Sequence, residues 1–192
     1  MRGVRWVKAI LIIFLALFIT GSVWAEEDSK YISWYETPIQ YKYISLKVIT
    51  ECLGALEDSV YSYCDVADQK IIFENFRERI KKEILSSSPR IHEDRTLIYA
   101  IFDIILYENK KRQIFIEVYY YRGGNCAECF YYELYNDKGE LISTDKDRIN
   151  LYGTKKFLQV IKKYENFKRS LGLKEKKGIN IWEDIMKKGG KL

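Results

Sequence analysis

Histidine is nearly missing from this sequence: His92 is the only one, and it stands in a polar stretch, Arg90-Ile91-His92-Glu93-Asp94-Arg95. A Ser-His pair or a histidine-rich metal site therefore has one loop residue to draw on. Proline is almost as scarce. Pro38 bars a long helix through the residues around it, and Pro89, with the three serines before it, ends the segment that precedes it. No phosphate-cradling glycine loop and no nucleophile-elbow motif is present, and Gly123-Gly124 reads as a turn. No cofactor-binding pattern stands out.

An excess of one charge is also lacking once the first residues are set aside. Arg2, Arg5 and Lys8 supply three of the 32 basic residues and none of the 27 acidic ones, so without them the net charge of +5 falls to +2. Such a balance gives no reason to expect a nucleic-acid partner.

What is present begins with a leader. The three basic residues are followed by an apolar run from Ala9 to Val23, then by Val23-Trp24-Ala25, with small residues three and one before a cut, then by Glu26-Glu27-Asp28. This order is that of a secretory signal peptide over residues 1–25. The competing reading is an uncleaved membrane anchor, but the run falls short of the roughly 20 apolar residues that span a bilayer. Residues 26–192 then form one domain in the periplasm or outside the cell, with no stable membrane span left after cleavage.

Cys52, Cys64, Cys126 and Cys129 all follow the leader, and export favours disulfides over free thiols. Pairing Cys52 with Cys64 and Cys126 with Cys129 closes two short loops. A redox pair would need Cys126-Ala127-Glu128-Cys129 at a helix N-terminus, yet Tyr119-Tyr120-Tyr121 and Phe130-Tyr131-Tyr132 on either side are strand formers. Zinc would need further ligands, and haem attachment fails because Phe130 stands where a histidine is required. No metal is expected.

Along the chain, Val48, Ile49, Cys52, Leu53 and Leu56 recur at three and four, which predicts a helix from Ile44 to Asp58. Ile72, Phe73, Phe76, Ile80 and Ile84 predict a second, capped by Asp65. The period then changes to two. Arg95–Tyr107, Gln113–Tyr121, Cys129–Tyr135 and Glu140–Thr144 predict four strands joined by turn-rich connections, an antiparallel meander. Thr154 precedes a helix whose stripe is Phe157, Val160, Ile161, Tyr164, Phe167 and Leu171, and residues 174–192 form a basic extension ending in an amphipathic segment. The expected class is α+β: two N-terminal helices, a four-stranded meander and a C-terminal helix on one sheet face.

Simple hairpin registers put Asp103, Glu117 and Glu133 in one row across three strands, beside Tyr99, Tyr119, Tyr121, Tyr131 and Tyr135. Like charges directly opposite one another destabilise a sheet, so the row needs compensation. Residues 154–191, with 12 basic residues against 4 acidic ones, can supply it internally; otherwise the face binds something. The expected function is a non-catalytic interaction protein of the cell envelope (an inhibitor, an immunity-type partner or an accessory subunit) whose partner is an envelope protein or polymer. Asp103, Glu117, Glu133, Tyr119 and Tyr131 are the expected binding residues, and none is assigned a catalytic role. Two alternatives stand beside it: a cell-wall hydrolase using Glu117 and Glu133 as paired carboxylates, and a binder of anionic envelope surface through the basic C-terminus.

Overall fold

The computed structural model describes residues 32–53, 65–89, 97–123 and 125–189. The leader, Cys64 and His92 lie outside them. Within them the fold is not the expected one. Two antiparallel sheets face each other, the first of four strands that neighbour one another in chain order and the second of five, in which the last strand of the chain lies at one edge.

The first sheet occupies the ground assigned to helices. Its strands are β1 (Ile32–Tyr41), β2 (Ile44–Leu53), β3 (Asp65–Asn75) and β4 (Ile80–Leu85). The apolar residues here satisfy both periods, and the period of two wins. Ile44, Leu46, Val48, Thr50 and Cys52 are all buried on one face of β2, while Ser45, Lys47, Ile49 and Glu51 between them are not. β-Branched side chains lose rotamer freedom in a helix and pack well on a pleated surface, and this segment is rich in them. Pro38 fits because β1 is an edge strand. The asparagine opening the β3–β4 turn organises it: the Asn75 carboxamide oxygen accepts the amides of Arg77 and Glu78 at 2.9 and 3.0 Å.

The four expected strands are present in the second sheet as β5 (Ala100–Glu108), β6 (Ile114–Tyr121), β7 (Phe130–Tyr135) and β8 (Leu141–Thr144). A fifth strand, β9 (Lys174–Asn180), comes from the basic extension and pairs with β5. Its lysines guard an exposed edge against pairing with other chains. Of the three helices, α1 (Arg148–Leu151) was not expected, whereas α2 (Lys155–Ser170) and α3 (Ile181–Gly189) follow the expected C-terminal stripe and amphipathic segment. Among the described residues no helix is long and apolar enough to cross a membrane.

One core cluster draws on both sheets: Ile39, Leu46, Val48 and Phe73 from the first, and Ile104, Leu106, Val118 and Tyr120 from the second. Ile181 and Ile185 of α3 close one side of it. Gln69, buried at 1% exposure, links the sheets by accepting from the Ile101 amide at 2.5 Å and donating to its carbonyl at 3.4 Å. At the far end, Gly139 (φ +65°) passes so close to Phe73 that a Cβ would sit 3.1 Å from its ring.

Candidate functional site

The site depends on which side chains share a face of the second sheet, and both expected registers are displaced. In the β5–β6 hairpin Glu108 faces Ile114, so Ile105, not Asp103, lies opposite Glu117. The cause is the turn: the Asn109 oxygen accepts the amides of Lys111 and Gln113 at 2.9 and 3.0 Å, and Arg112 takes φ +62°. The loop is thereby centred one residue later than expected. A bulge between Ile101 and Asp103 also moves Phe102 to the outer face.

In the β6–β7 hairpin Tyr121 faces Phe130 rather than Cys129. Cys126 and Cys129 form a disulfide with Cα atoms 5.1 Å apart, the expected pairing. Residues three apart in a strand point to opposite faces, so the bridge keeps both cysteines in the loop and β7 starts one residue later. A slip of one residue inverts every side chain of the strand. Cys52 is also oxidised; Cys64, its expected partner, lies outside the described residues.

The acidic row therefore does not form. Glu133 and Tyr131 turn inward between the sheets. Glu133, 2% exposed, accepts from Ser87 and Tyr135 at 2.6 Å each. Tyr131 stacks on Tyr120 with centroids 4.5 Å apart and shares a hydrogen bond with Ser87. Burial, then the Glu133 charge, holds the Tyr135 hydroxyl well above the usual phenol range. Glu117 stays on the outer face but is sealed under α2. At 1% exposure it accepts from Tyr107 at 2.8 Å, Tyr164 at 2.6 Å and Lys168 at 2.7 and 2.8 Å. Glu117 and Glu133 thus lie on opposite faces of one sheet and cannot flank a common bond. Asp103 sits opposite Asn180 in the β5–β9 ladder, its carboxyl raised by burial and by the nearby Glu183 charge against the opposing effect of the Asn180 side chain.

Only Tyr119 of the expected set enters a surface with room beside it. The outer face of the second sheet divides along the strands. At one end Tyr107, Phe115 and Leu134 are covered by Tyr164 of α2. At the other, Phe102, Tyr119, Tyr121 and Phe130 remain half-exposed and, with Asn125 and Cys126, line a concavity of about 290 Å³. Their rings form one array. Tyr119 lies nearly parallel to Tyr121 (6.1 Å between centroids, 17°) and stacks on Tyr132 (5.0 Å). Phe102 stands edge-on to Tyr119 and Tyr121 at 5.9 and 5.2 Å, and Phe130 leans on Tyr119 at 5.6 Å. Burial holds the Tyr119 hydroxyl above its ordinary range and pushes that of Tyr132 up to about 12.

The array is held from below. Arg148, 5% exposed, places its guanidinium 4.2 Å from the Phe130 ring centre and donates to Asp145 at 2.8 Å. The other oxygen of Asp145 accepts the Tyr132 amide at 2.6 Å. Burial raises the Asp145 carboxyl, while the Tyr132 amide and Arg148 oppose the shift. Phe102 and Phe130 were out of reach of sequence reasoning, because the bulge and the one-residue slip that expose them leave no mark on the apolar pattern.

The first sheet's outer face shows the contrast. There Lys47 pairs with Glu36 at 3.0 Å, Lys70 with Glu83 at 3.0 Å and Lys81 with Glu74 at 2.6 Å. Among these pairs Trp34 and Leu85 stand exposed singly, at 60% and 65%, and form no ring array. Among the described residues no three His, Cys, Asp or Glu side chains converge to hold a metal ion. No family model, curated protein or solved structure matches the chain.

Proposed function

We propose that this chain is an exported, non-catalytic binding protein of the cell envelope, and that it binds through the outer aromatic face of its second sheet. The observation that carries the reading is the half-exposed ring array of Phe102, Tyr119, Tyr121 and Phe130 around a concavity. The sandwich core is complete without these rings, since the opposite face of the same strands already meets the first sheet. An aromatic concavity with a few convergent polar groups is how ligand sites are built. Tyr contributes broad contact area with little side-chain entropy to lose.

Export rests on the leader over residues 1–25 and agrees with the Cys126–Cys129 disulfide. N-terminal sequencing of protein from an exporting host is expected to begin at Glu26. The binding surface is tested by co-sedimentation of the purified mature protein with an envelope fraction of the producing cell. The wild type is expected to sediment, and Tyr119→Ser/Tyr121→Ser to remain in the supernatant. Lys47→Ala/Glu83→Ala, on the other sheet, is expected to sediment as the wild type does. Equal sedimentation of all three would overturn the reading.

A further inference from the structure

We propose that the outward side of α2 docks on an anionic phospholipid bilayer, a second contact beyond the aromatic face. The helix is set high on its sheet. Of its 16 residues only Tyr164 is buried, and Lys155, Lys156, Lys162, Lys163 and Arg169 are all exposed. Lys155, Lys162 and Arg169 recur every seven residues, close to two helical turns, so they form one line along the outward side. Lys156 and Lys163 make a second line beside it.

The fold does not use these cations. Lys168 is engaged by Glu117 at 2.7 Å, but among the described residues none of the other five enters an ion pair. Glu165 is the single acid of the helix, and no acid stands in its first turn. There Lys155 and Lys156 oppose the helix dipole, which weakens the helix slightly. A charge that costs stability and has no internal partner suits a negative surface outside the molecule. The basic extension is less suited to that role, because Lys187 and Lys188 pair with Glu183 and Asp184 at 3.6 and 2.5 Å.

Apolar side chains among the cations favour a bilayer over a soluble polyanion. Leu158 is 59% exposed and lies one turn from Lys155 on one side and from Lys162 on the other. Tyr152, 57% exposed, meets the half-buried Phe157 ring edge-on at 5.6 Å at the same end of the helix. An interfacial helix sinks such groups into the boundary between headgroups and acyl chains, while its lysines stretch back to the phosphates. A polyphosphate engages the lysines and leaves the leucine in water. The attraction is screened by salt, so at physiological ionic strength it assists the ring array rather than replacing it. Both look outward from the second sheet, because α2 covers the other end of the face that carries the rings.

The test is sedimentation of the mature protein with sucrose-loaded vesicles of phosphatidylcholine, alone or with one third phosphatidylglycerol, at low salt. Melting temperatures serve as the folding control. Binding is expected only with phosphatidylglycerol, and to weaken as salt is raised. Lys155→Gln/Lys162→Gln is expected to weaken it by about thirtyfold, and Leu158→Ser by about tenfold. Lys47→Gln/Lys70→Gln, which removes the same charge from the first sheet, and Tyr119→Ser/Tyr121→Ser are expected to bind as the wild type does. No binding to the anionic vesicles overturns the inference, and so does an equal loss in Lys47→Gln/Lys70→Gln, which would make the attraction one of net charge. Leu158→Ser binding like the wild type, with polyphosphate displacing the vesicles, would place a soluble polyanion on α2 and overturn it as well. A loss confined to Tyr119→Ser/Tyr121→Ser would give the vesicles to the ring array, ending this inference while the proposed face stands. Vesicle binding through α2, with envelope sedimentation indifferent to the rings, would do the reverse.

Discussion

Lys168 holds both oxygens of Glu117, at 2.7 and 2.8 Å, from a helix 51 residues further along the chain. The carboxylate is 2% exposed at its side chain and the ammonium 21%, so this is a mostly buried pair with two tyrosine hydroxyls completing its shell. Removing one member of such a pair strands the other. Lys168→Met is expected to cost about 3–5 kcal/mol, and Glu117→Gln less, because the amide keeps partners among the hydroxyls. The double variant is expected to be clearly more stable than the sum of the two losses implies, since the residues share one interaction. Urea denaturation of the four proteins measures the coupling; strict additivity would show that α2 docks without this pair.

Five phenols are held in the interior in their neutral form. Burial is the first cause in each case, and the charges of Glu117 or Glu133 add to it, raising Tyr107, Tyr120, Tyr131, Tyr135 and Tyr164 well above the ordinary value of 10.0. The unfolded chain releases these protons near that value, and the fold keeps them. Their contribution to stability is therefore complete below about pH 10 and declines as the pH rises past it, by roughly 1.4 kcal/mol per pH unit for each phenol. Alkaline unfolding is expected to be steep and to coincide with the late portion of the tyrosinate absorbance change. If all sixteen tyrosines titrate in one step near pH 10 with the fold intact, the burial of these hydroxyls is wrong.

The second half of the chain was legible for plain reasons. Asn109 and Asn136 announce turns, and each carboxamide oxygen does accept two backbone amides. The stripe through Tyr164 is helical, and α2 follows it. The first half was not legible, because Val48, Ile49, Cys52 and Leu53 satisfy a helix as well as a strand. What chose the strand is the second sheet itself, whose inner face offers β2 a flat apolar surface. Compensation by a C-terminal lysine was foreseen for the acidic row and is realised at Glu117 by Lys168. The row was lost because Cys129 remains in its loop, a single position that decides whether Glu133 faces outward or into the core.

Tyr135 and Tyr120 approach Glu133 differently, and their hydroxyls should not be worth the same. Tyr135 donates to the carboxylate at 2.6 Å, whereas the buried Tyr120 hydroxyl has no hydrogen-bond partner of good geometry. Tyr135→Phe takes a donor from a buried carboxylate and is expected to cost about 1–3 kcal/mol. Tyr120→Phe removes a desolvated hydroxyl and keeps the ring stacked on Tyr131, so stability is expected to change by less than about 1 kcal/mol. Thermal melts of the two variants decide it, and the reverse order would move the hydrogen bond to Tyr120.

The Cys126–Cys129 bridge joins the fold to the proposed surface. Cys126 and Asn125 line the concavity, and the turn between the cysteines is closed by a hydrogen bond from the Cys129 amide to the Cys126 carbonyl at 3.1 Å. The loop it closes is short, so chain entropy makes the bridge worth about 2 kcal/mol. Cys126→Ala/Cys129→Ala is therefore expected to fold with a lowered melting temperature. It also frees residue 129 to enter the ladder opposite Tyr121, the register that the bridge prevents. That slip would turn Phe130 inward and bring residue 131 out, removing one wall of the ring array. Envelope sedimentation of the variant is accordingly expected to weaken more than its lost stability accounts for. The register itself is read from cross-strand NOEs between Tyr121 and residue 129 or 130. Wild-type sedimentation in a variant that has lost the bridge would separate the loop from the binding face and leave the disulfide as a stabilising clasp alone.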